Sequence, residues 1–339
     1  MDLPSIWFGL LGILLIGYAV LDGFDLGVGI LHLFARTDRE RRVFLNAIGP
    51  LWDGNEVWLI TFGGALFAAF PLAYAAIFSG FYMPFVLLLF ALILRAVSIE
   101  FRGKLDAPLW RAVWDAGFCG ASLLASLLFG VAVGNAVIGV PLNGNGSFAG
   151  RFVDLLTPYP ILIGLLAAAL FAMHGASFLA LKTPAGDLAA RLRRWLGYAW
   201  GTFLFLYILA TIFTLVSVPH ATANFHRQPW TVVLIALPVL AIANIPRALH
   251  AGRPFQAFLS SAGTIVGLLV LFGMALWPNL VTASNDPQLS LTVHNAASSP
   301  KTLGIMLVIA AIGMPFVLAY TAVVYWTFRG KVIVERSVY

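Results

Sequence analysis

Apolar residues dominate the chain in long runs that are separated by short polar connections. Each run is long enough for a helix to cross about 30 Å of hydrocarbon. The runs cover residues 6–34, 53–74, 75–101, 111–140, 160–182, 196–217, 229–249, 255–277 and 303–328. This pattern predicts an all-α polytopic membrane protein with about nine transmembrane helices, in which residues 1–339 form a single integral membrane domain.

Basic residues are divided unequally between the two sets of alternate connections. Seventeen Lys and Arg residues, from Arg36 to Arg336, fall on one side of the predicted membrane, whereas Arg151, Arg227 and Lys301 fall on the other. Cytoplasmic loops of membrane proteins carry the excess of Lys and Arg. The distribution therefore predicts an N-terminus outside and a cytoplasmic C-terminus.

The order of the spans predicts two four-helix groups, at 1–140 and 160–277, with 303–328 as an additional helix. The two outer connections, 141–159 and 278–302, are rich in Pro, Gly, Asn and Ser. Their composition and length are typical of plain loops. We expect no extramembrane domain.

Composition excludes several classes of protein. The chain is 61% hydrophobic and 10% charged, which is too apolar for an ordinary soluble domain. Its net charge of +6 does not indicate a nucleic-acid partner, because the basic residues are not clustered on a water-exposed domain. Cys119 is the single cysteine, so disulfides within the chain and sites with several thiolate ligands are excluded.

Two carboxylates, Asp22 and Asp25, interrupt the first apolar run. A charged side chain at the centre of a bilayer costs about 3 kcal/mol on insertion scales, so such residues usually face a protein interior or a water-filled path. Helical spacing places one set of polar and small residues on a common face: Tyr18, Asp22, Asp25, Gly29 and His32. We expect this face to point inward.

A second polar cluster, residues 52–58, begins the second span. One interpretation is structural: Asp53 caps the helix with Glu56 as its capping-box partner, and Trp52 lies in the interfacial aromatic belt. The other is functional, because these carboxylates and those of the first span approach one depth in the membrane. Together they would form a hydrated path from the cytoplasm, as proton relays require.

Charged residues at the inner end of the third span have both kinds of interpretation. Arg95 is deep enough to be a counter-charge for Asp25 or Asp53, whereas Arg102 is expected to extend to the membrane interface. Asp115 follows Arg111 by four residues, which is typical of an interfacial ion pair.

Glycines in the first two spans are expected to allow neighbouring helices to approach closely. The sequence offers Gly23-x-x-x-Gly27 in the first span and Gly63-Gly64 in the second.

The histidines argue against a haem in this chain. A bis-histidine haem needs two histidines at matching depth on different helices, and His174 alone lies well inside a span. We interpret His174 as a packing and hydrogen-bonding residue. No nucleophile, phosphate-binding or zinc-protease motif occurs, so we expect no bound metal and no catalytic residue in the chain alone.

Three motifs carry a family resemblance. Residues 17–29 (GYAVLDGFDLGVG), 52–60 (WDGNEVWLI) and 63–71 (GGALFAAFP) closely resemble subunit II of the bacterial cytochrome bd-type ubiquinol oxidases, including their cyanide-insensitive branch. The similarity continues in 78–82 and 174–177 and covers nearly the whole chain.

The resemblance implies a subunit of an inner-membrane complex that oxidises quinol and reduces dioxygen to water. The haems would belong to subunit I, with which this chain would form a heterodimer in contact with quinol and lipids. A small single-span accessory subunit often joins such a pair. Asp25 and Asp53 match the proton-path positions of the family, Trp52 adjoins a site where some members hold a quinone, and Glu56 stands where some relatives have Gln.

Two alternatives remain open at the level of sequence. A proton-coupled secondary transporter would also contain buried carboxylates and many spans. A scaffold would use its Asp residues only for salt bridges to the partner.

Overall fold

The computed structural model describes residues 2–227 and 229–332, so Arg336, which contributes to the predicted charge asymmetry, lies outside the described residues. Helices make up most of this part of the chain. The α-helices are α1 (Leu3–Leu31), α2 (Asp38–Ile48), α3 (Trp52–Ala69), α4 (Pro71–Gly80), α5 (Tyr82–Phe101), α6 (Pro108–Ile138), α7 (Pro158–Lys182), α8 (Asp187–Ser217), α9 (Ala223–Arg227), α10 (Val232–His250), α11 (Pro254–Leu276) and α12 (Pro300–Thr327).

Within the described residues, eight helical segments are long and apolar enough to cross a membrane. They correspond to α1 with the 3₁₀ turn that follows it, α5, α6, α7, α8, α10, α11 and α12. The second predicted span is absent from this set. Its helix, α3, has 18 residues and begins with the polar stretch that contains Asp53 and Glu56.

The boundary between the second and third predicted spans also differs from the structure. The sequence predicts it at residues 74–75, but the helices break at Phe70, immediately before Pro71, and again at Phe81. Proline is well tolerated in the first turn of a helix, where its missing N–H is not needed. Pro71 therefore begins the short α4, and α5 is the membrane-length helix of this region.

The first span packs against the centre of the fold through glycine. A Cβ built on Gly27 of α1 would lie 1.8 Å from the backbone oxygen of Phe171 in α7, and one on Gly175 would lie 2.4 Å from the Gly27 carbonyl carbon. Only the absence of both side chains lets α1 and α7 approach this closely. The expected close contact at Gly27 is confirmed. A Cβ on Gly23 would meet the Phe171 ring at 2.8 Å.

The corresponding prediction for Gly63 and Gly64 is wrong within this chain. A Cβ on either residue would meet nothing within 4 Å. Gly64 lies on an exposed face of α3, so these glycines do not bring two described helices together.

The outer connections are more ordered than plain loops. The second connection contains a two-stranded antiparallel pair, β1 (Asn279–Val281) and β2 (Leu291–Thr292). A separate β-bridge between Val140 and Ala283 links the first connection to the second. Buried Leu142 and Val293 contribute to an apolar cluster that also contains residues of α3 and α4. The two connections therefore pack into a cap over one end of the helices.

The close approach of α1 and α7 gives a first testable prediction. Gly27→Ala should lower the thermal stability of the assembled protein, because overpacking a tight core typically costs roughly 1–3 kcal/mol. Gly12→Ala on the same helix is the matched control, since a Cβ there would meet nothing within 4 Å. The measurement is the unfolding temperature of the purified protein, and equal temperatures for both variants would refute the tight contact.

Candidate functional site

The polar face of α1 is buried, as the helical spacing predicts. Asp22 is 0% exposed and Asp25 is 1% exposed. Both carboxylates lie inside the helix bundle and do not face lipid. Buried ionisable groups need partners, because an isolated charge in a low-dielectric interior is strongly unfavourable.

Arg95 of α5 is the main partner of Asp22. Its Nη1 donates to Asp22 Oδ2 at 3.0 Å, and its Nη2 lies 2.9 Å from Asp22 Oδ1. Nη2 also pairs with Glu56 of α3. Arg95 itself is 1% exposed. The guanidinium therefore links α1, α3 and α5 inside the bundle.

These contacts correct two expectations about charge pairing. The prediction that Arg95 is a counter-charge for Asp25 or Asp53 is wrong, because Arg95 pairs with Asp22 and Glu56. The capping box is also absent: α3 has Leu51 at its N-cap, with no side-chain cap hydrogen bond. The Glu56 carboxylate is instead engaged with Arg95.

Asp25 has a neutral partner that the sequence analysis missed. Asn55 Nδ2 donates to Asp25 Oδ2 at 2.7 Å and to the Leu21 carbonyl oxygen at 3.0 Å. The hydroxyl of Tyr325 in α12 donates to Asn55 Oδ1 at 3.0 Å, which orients the amide so that its N–H groups face Asp25. The signal in the sequence is an amide between Asp53 and Glu56 in an otherwise apolar helix.

Asp53 lies apart from the buried carboxylates. Its side chain is exposed, whereas Asn55, two residues later, is 2% exposed and faces inward. Two residues correspond to about 200° around a helix, so the two side chains lie on opposite faces. The structure thus brings Asp22, Asp25 and Glu56 together but leaves Asp53 on the outer surface of α3.

Trp52 precedes Asp53 and is 8% exposed. It packs in the main hydrophobic core with Leu51 and Ile48. Its predicted contact with a quinone stays a prediction.

We refer to Asp22, Asp25, Asn55, Glu56 and Arg95 as the Arg95 cluster. Its three carboxyl groups face one guanidinium, so full ionisation would leave an excess of two negative charges in a mostly buried site. Such an excess is strongly unfavourable at low dielectric. The cluster is therefore suited chemically to exchanging protons.

A second polar network surrounds the C-terminal end of α1. Asp115 of α6 is fully buried and accepts hydrogen bonds from Arg102 Nε, from Arg41 Nη1 at 2.7 Å and from His32 Nε2. Arg102 Nη2 also donates to Asp38 at 2.7 Å. The network ties the start of α2 to the ends of α1 and α5 and to the first half of α6.

This network overturns two further expectations. Arg102 is 2% exposed and buried in ion pairs, so it does not extend to the membrane interface. Asp115 does not pair with Arg111, which contacts Asp38 and Asp106 instead. Long-range contacts between α2, α5 and α6 determine these pairs, and sequence spacing does not reveal such contacts.

The pKa of Asp38 shows how strongly the network holds its carboxylates. Partial burial disfavours the charged form, but hydrogen bonds from Arg102 and Arg42 outweigh that effect and hold the pKa of Asp38 below its usual value. Asp38 is consequently ionised at neutral pH and keeps its ion pairs there.

His174 is buried in a hydrogen-bonded site of its own. Its Nε2 donates to the Val20 carbonyl oxygen at 3.0 Å, and its Nδ1 lies 2.7 Å from Ser261 Oγ. The ring stacks on Phe258 at 5.0 Å. These contacts agree with the packing and hydrogen-bonding role that the sequence predicts. Across the described ranges, no group of three or more His, Cys, Asp or Glu residues could hold a metal ion.

The Asp115 network gives a second testable prediction. Asp115→Asn should destabilise the protein by about 3–5 kcal/mol, because it leaves the buried Arg102 with a weakened partner set. Asp106→Asn is the matched control, since Asp106 is 91% exposed and pairs only at the surface. Thermal unfolding of the purified protein measures the difference. A loss no larger than that of the control would show that the network is not a structural lock.

The sequence profile of the family described as cytochrome bd terminal oxidase subunit II matches residues 3–328. The chain is 36% identical to cytochrome bd-I ubiquinol oxidase subunit 2 of Escherichia coli K12, over 98% of this chain and 96% of that protein. It is 35% identical to cytochrome bd ubiquinol oxidase subunit 2 of Bacillus subtilis, over 98% and 97%.

A solved structure shows the same fold. A chain of the bd oxidase from Geobacillus thermodenitrificans superposes with a TM-score of 0.80 at 16% sequence identity. The match covers 97% of this chain and 99% of that one. The helical arrangement is thus similar over the full length despite low sequence identity.

Proposed function

The chain belongs to the cytochrome bd terminal oxidase subunit II family, and from this premise we propose that it carries protons from the cytoplasm towards the oxygen-reducing partner subunit. It is a multi-pass protein of the bacterial inner membrane and one subunit of a quinol:oxygen oxidoreductase. Its relatives are named as ubiquinol oxidase subunits, and we propose ubiquinol as the electron donor of this complex as well.

The observation that carries the proton role is the environment of Asp25. Its carboxylate is 1% exposed, one oxygen accepts from Asn55 at 2.7 Å, and the other has no hydrogen-bond partner within the described part of the chain. A purely structural carboxylate at this depth would have an ion-pair partner, as Asp22 has in Arg95. Asp25 instead keeps an oxygen available to take up and release a proton.

Asp53 and Glu56 are proposed as the cytoplasmic side of this path. Asp53 is exposed at the first turn of α3, and Glu56 follows it one turn later on the neighbouring surface of the helix. Glu56 is partly exposed and reaches Arg95, which holds Asp22. A proton collected at Asp53 could therefore pass through Glu56 and the buried cluster to Asp25.

The partner supplies the redox chemistry in this proposal. Subunit I would hold the haems and the quinol-oxidising site, and subunit II would deliver the protons that dioxygen reduction consumes. Voltage then arises because protons are taken from one side of the membrane, without a pumping cycle. A quinone bound near Trp52, surrounding lipids and a small single-span accessory subunit complete the proposed assembly.

Membership of the oxidase family argues against the proton-coupled transporter considered from sequence alone. Mutation distinguishes the scaffold alternative from the proton relay. If the chain were a scaffold, Asp25 would serve assembly, and its substitution would reduce haem content and turnover together.

The third prediction tests the relay. Asp25→Asn and Asp53→Asn complexes, assembled with full haem content, should lose much of their oxidase turnover, because acid–base groups typically contribute factors of ~10²–10⁴ to the steps they serve. Quinol-driven oxygen consumption per haem is the measurement. Asp106→Asn, an exposed carboxylate away from the cluster, is the control. If both variants turned over like the wild-type complex, the relay role would be wrong.

A further inference from the structure

Buried polar side chains continue beyond the Arg95 cluster towards the inner end of α1. His32 follows α1, Ser98 lies in α5 and Ser122 lies in α6. Each of the three is at most 1% exposed. Ser98 and Ser122 lie between the Arg95 cluster and the Asp115 network, to which His32 belongs, so polar groups line the α1–α5–α6 interior over several helical turns.

These residues share an unusual feature, which is a buried polar atom without a hydrogen-bond partner. In the part of the chain that the structure describes, this is true of His32 Nδ1, Ser98 Oγ, Ser122 Oγ, Arg95 Nε and Asp25 Oδ1. Native proteins leave few such atoms unsatisfied. Where several lie in one polar interior, bound water molecules typically complete their hydrogen bonds.

Ser122 lies at the level of α1 between Asp25 and His32. A Cβ built on Gly29 would be 2.0 Å from Ser122 Oγ, so this hydroxyl occupies the space that the glycine leaves. Asp25 precedes Gly29 by about 6 Å along the helix axis and His32 follows it by about 4.5 Å, from a rise of 1.5 Å per residue. In a continuous route, bound water would bridge each of these intervals.

His32 connects this interior to the cytoplasmic side. Its Nε2 donates to Asp115, whose carboxylate is also held by Arg102 and Arg41. The Arg41 side chain is 28% exposed. The network therefore reaches water at Arg41, two contacts from His32, and the imidazole keeps Nδ1 for a further hydrogen bond.

We propose that water molecules bound between α1, α5 and α6 join these atoms into a second proton route, with His32 at its inner end and Asp25 as its end point. A bound water molecule on the cytoplasmic side gives a proton to His32 Nδ1, Asp115 stabilises the resulting imidazolium through its Nε2–H, and Nδ1 then returns a proton to the next bound water, which leaves the imidazole neutral again. Ser122 passes it on by accepting one proton and donating another, so no net bond change remains.

The route differs from the one that begins at Asp53. Asp53 lies on the exposed surface of α3, whereas His32 and Ser122 lie between α1 and α6. The second route rests on the proposed function only at Asp25, where the two would meet.

The test uses two pairs of matched variants in the assembled complex. His32→Gln removes the proton-accepting imidazole, and His174→Gln changes an equally buried histidine whose two nitrogens are both hydrogen-bonded. Ser122→Ala removes an unpartnered hydroxyl, and Ser126→Ala removes a hydroxyl bonded to the Ser122 carbonyl oxygen one turn away. Oxygen consumption per haem and proton uptake are compared in H2O and D2O.

We expect His32→Gln and Ser122→Ala to lower turnover several-fold and to raise the solvent isotope effect, while His174→Gln and Ser126→Ala keep wild-type values. A structural defect would lower haem content but would not raise the isotope effect. Wild-type turnover in His32→Gln and Ser122→Ala, together with slow turnover in Asp25→Asn, overturns the second route and leaves the proposed relay intact. Unchanged turnover in Asp25→Asn contradicts the relay itself and removes the end point of the route.

Discussion

The ion pairs of Arg95 are the interaction on which the rest of the site depends. A guanidinium that is 1% exposed holds Asp22 of α1 and Glu56 of α3, and it joins three helices at a depth where an unpaired charge would be excluded. Once Arg95 has neutralised Asp22, Asp25 is left with the amide of Asn55 and one free oxygen. The oxygen of Asp25, the proposed relay, is thus available because Asp22 has taken the positive charge.

The architecture keeps two kinds of polar contact apart along α1. At the C-terminal end of α1, Asp115 is surrounded by His32, Arg102 and Arg41, which fixes the helix ends. Deeper in the bundle, carboxyl groups outnumber the guanidinium. The first arrangement favours a permanently ionised Asp115 and rigid helix ends, and the second favours exchange of protons. Tyr325 adds α12 to the second arrangement through Asn55, so the last helix contributes to a site built mainly by the first five.

Much of this could be predicted from the sequence, because the membrane restricts what a polar residue inside a helix can do. Helical periodicity alone places Asp22 and Asp25 on the buried face of α1, and glycine spacing predicts the tight contact at Gly27. The partners could not be predicted in the same way. Arg95 lies 73 residues from Asp22, and Tyr325 lies 270 residues from Asn55, so these contacts depend on how the helices pack.

The second span was the hardest region to predict. Its polar start suggested a capping box, yet the helix turns Asn55 inward and leaves Asp53 exposed. Neighbouring positions on a helix differ by about 100° in direction, and the local sequence of residues 52–58 does not show which face of α3 turns inward. A contact with another helix determines that face: Trp58 packs so closely over Gly17 of α1 that a Cβ on this glycine would lie 2.1 Å from the indole.

The most direct test of the central claim is single-turnover proton uptake by the assembled oxidase. The fully reduced complex is mixed with dioxygen, and a pH-indicating dye follows proton uptake while haem absorbance follows electron transfer. Our account predicts that Asp25→Asn slows proton uptake and the haem steps that depend on it, with normal haem content and normal binding of dioxygen. Proton uptake at the wild-type rate in this variant would contradict the account.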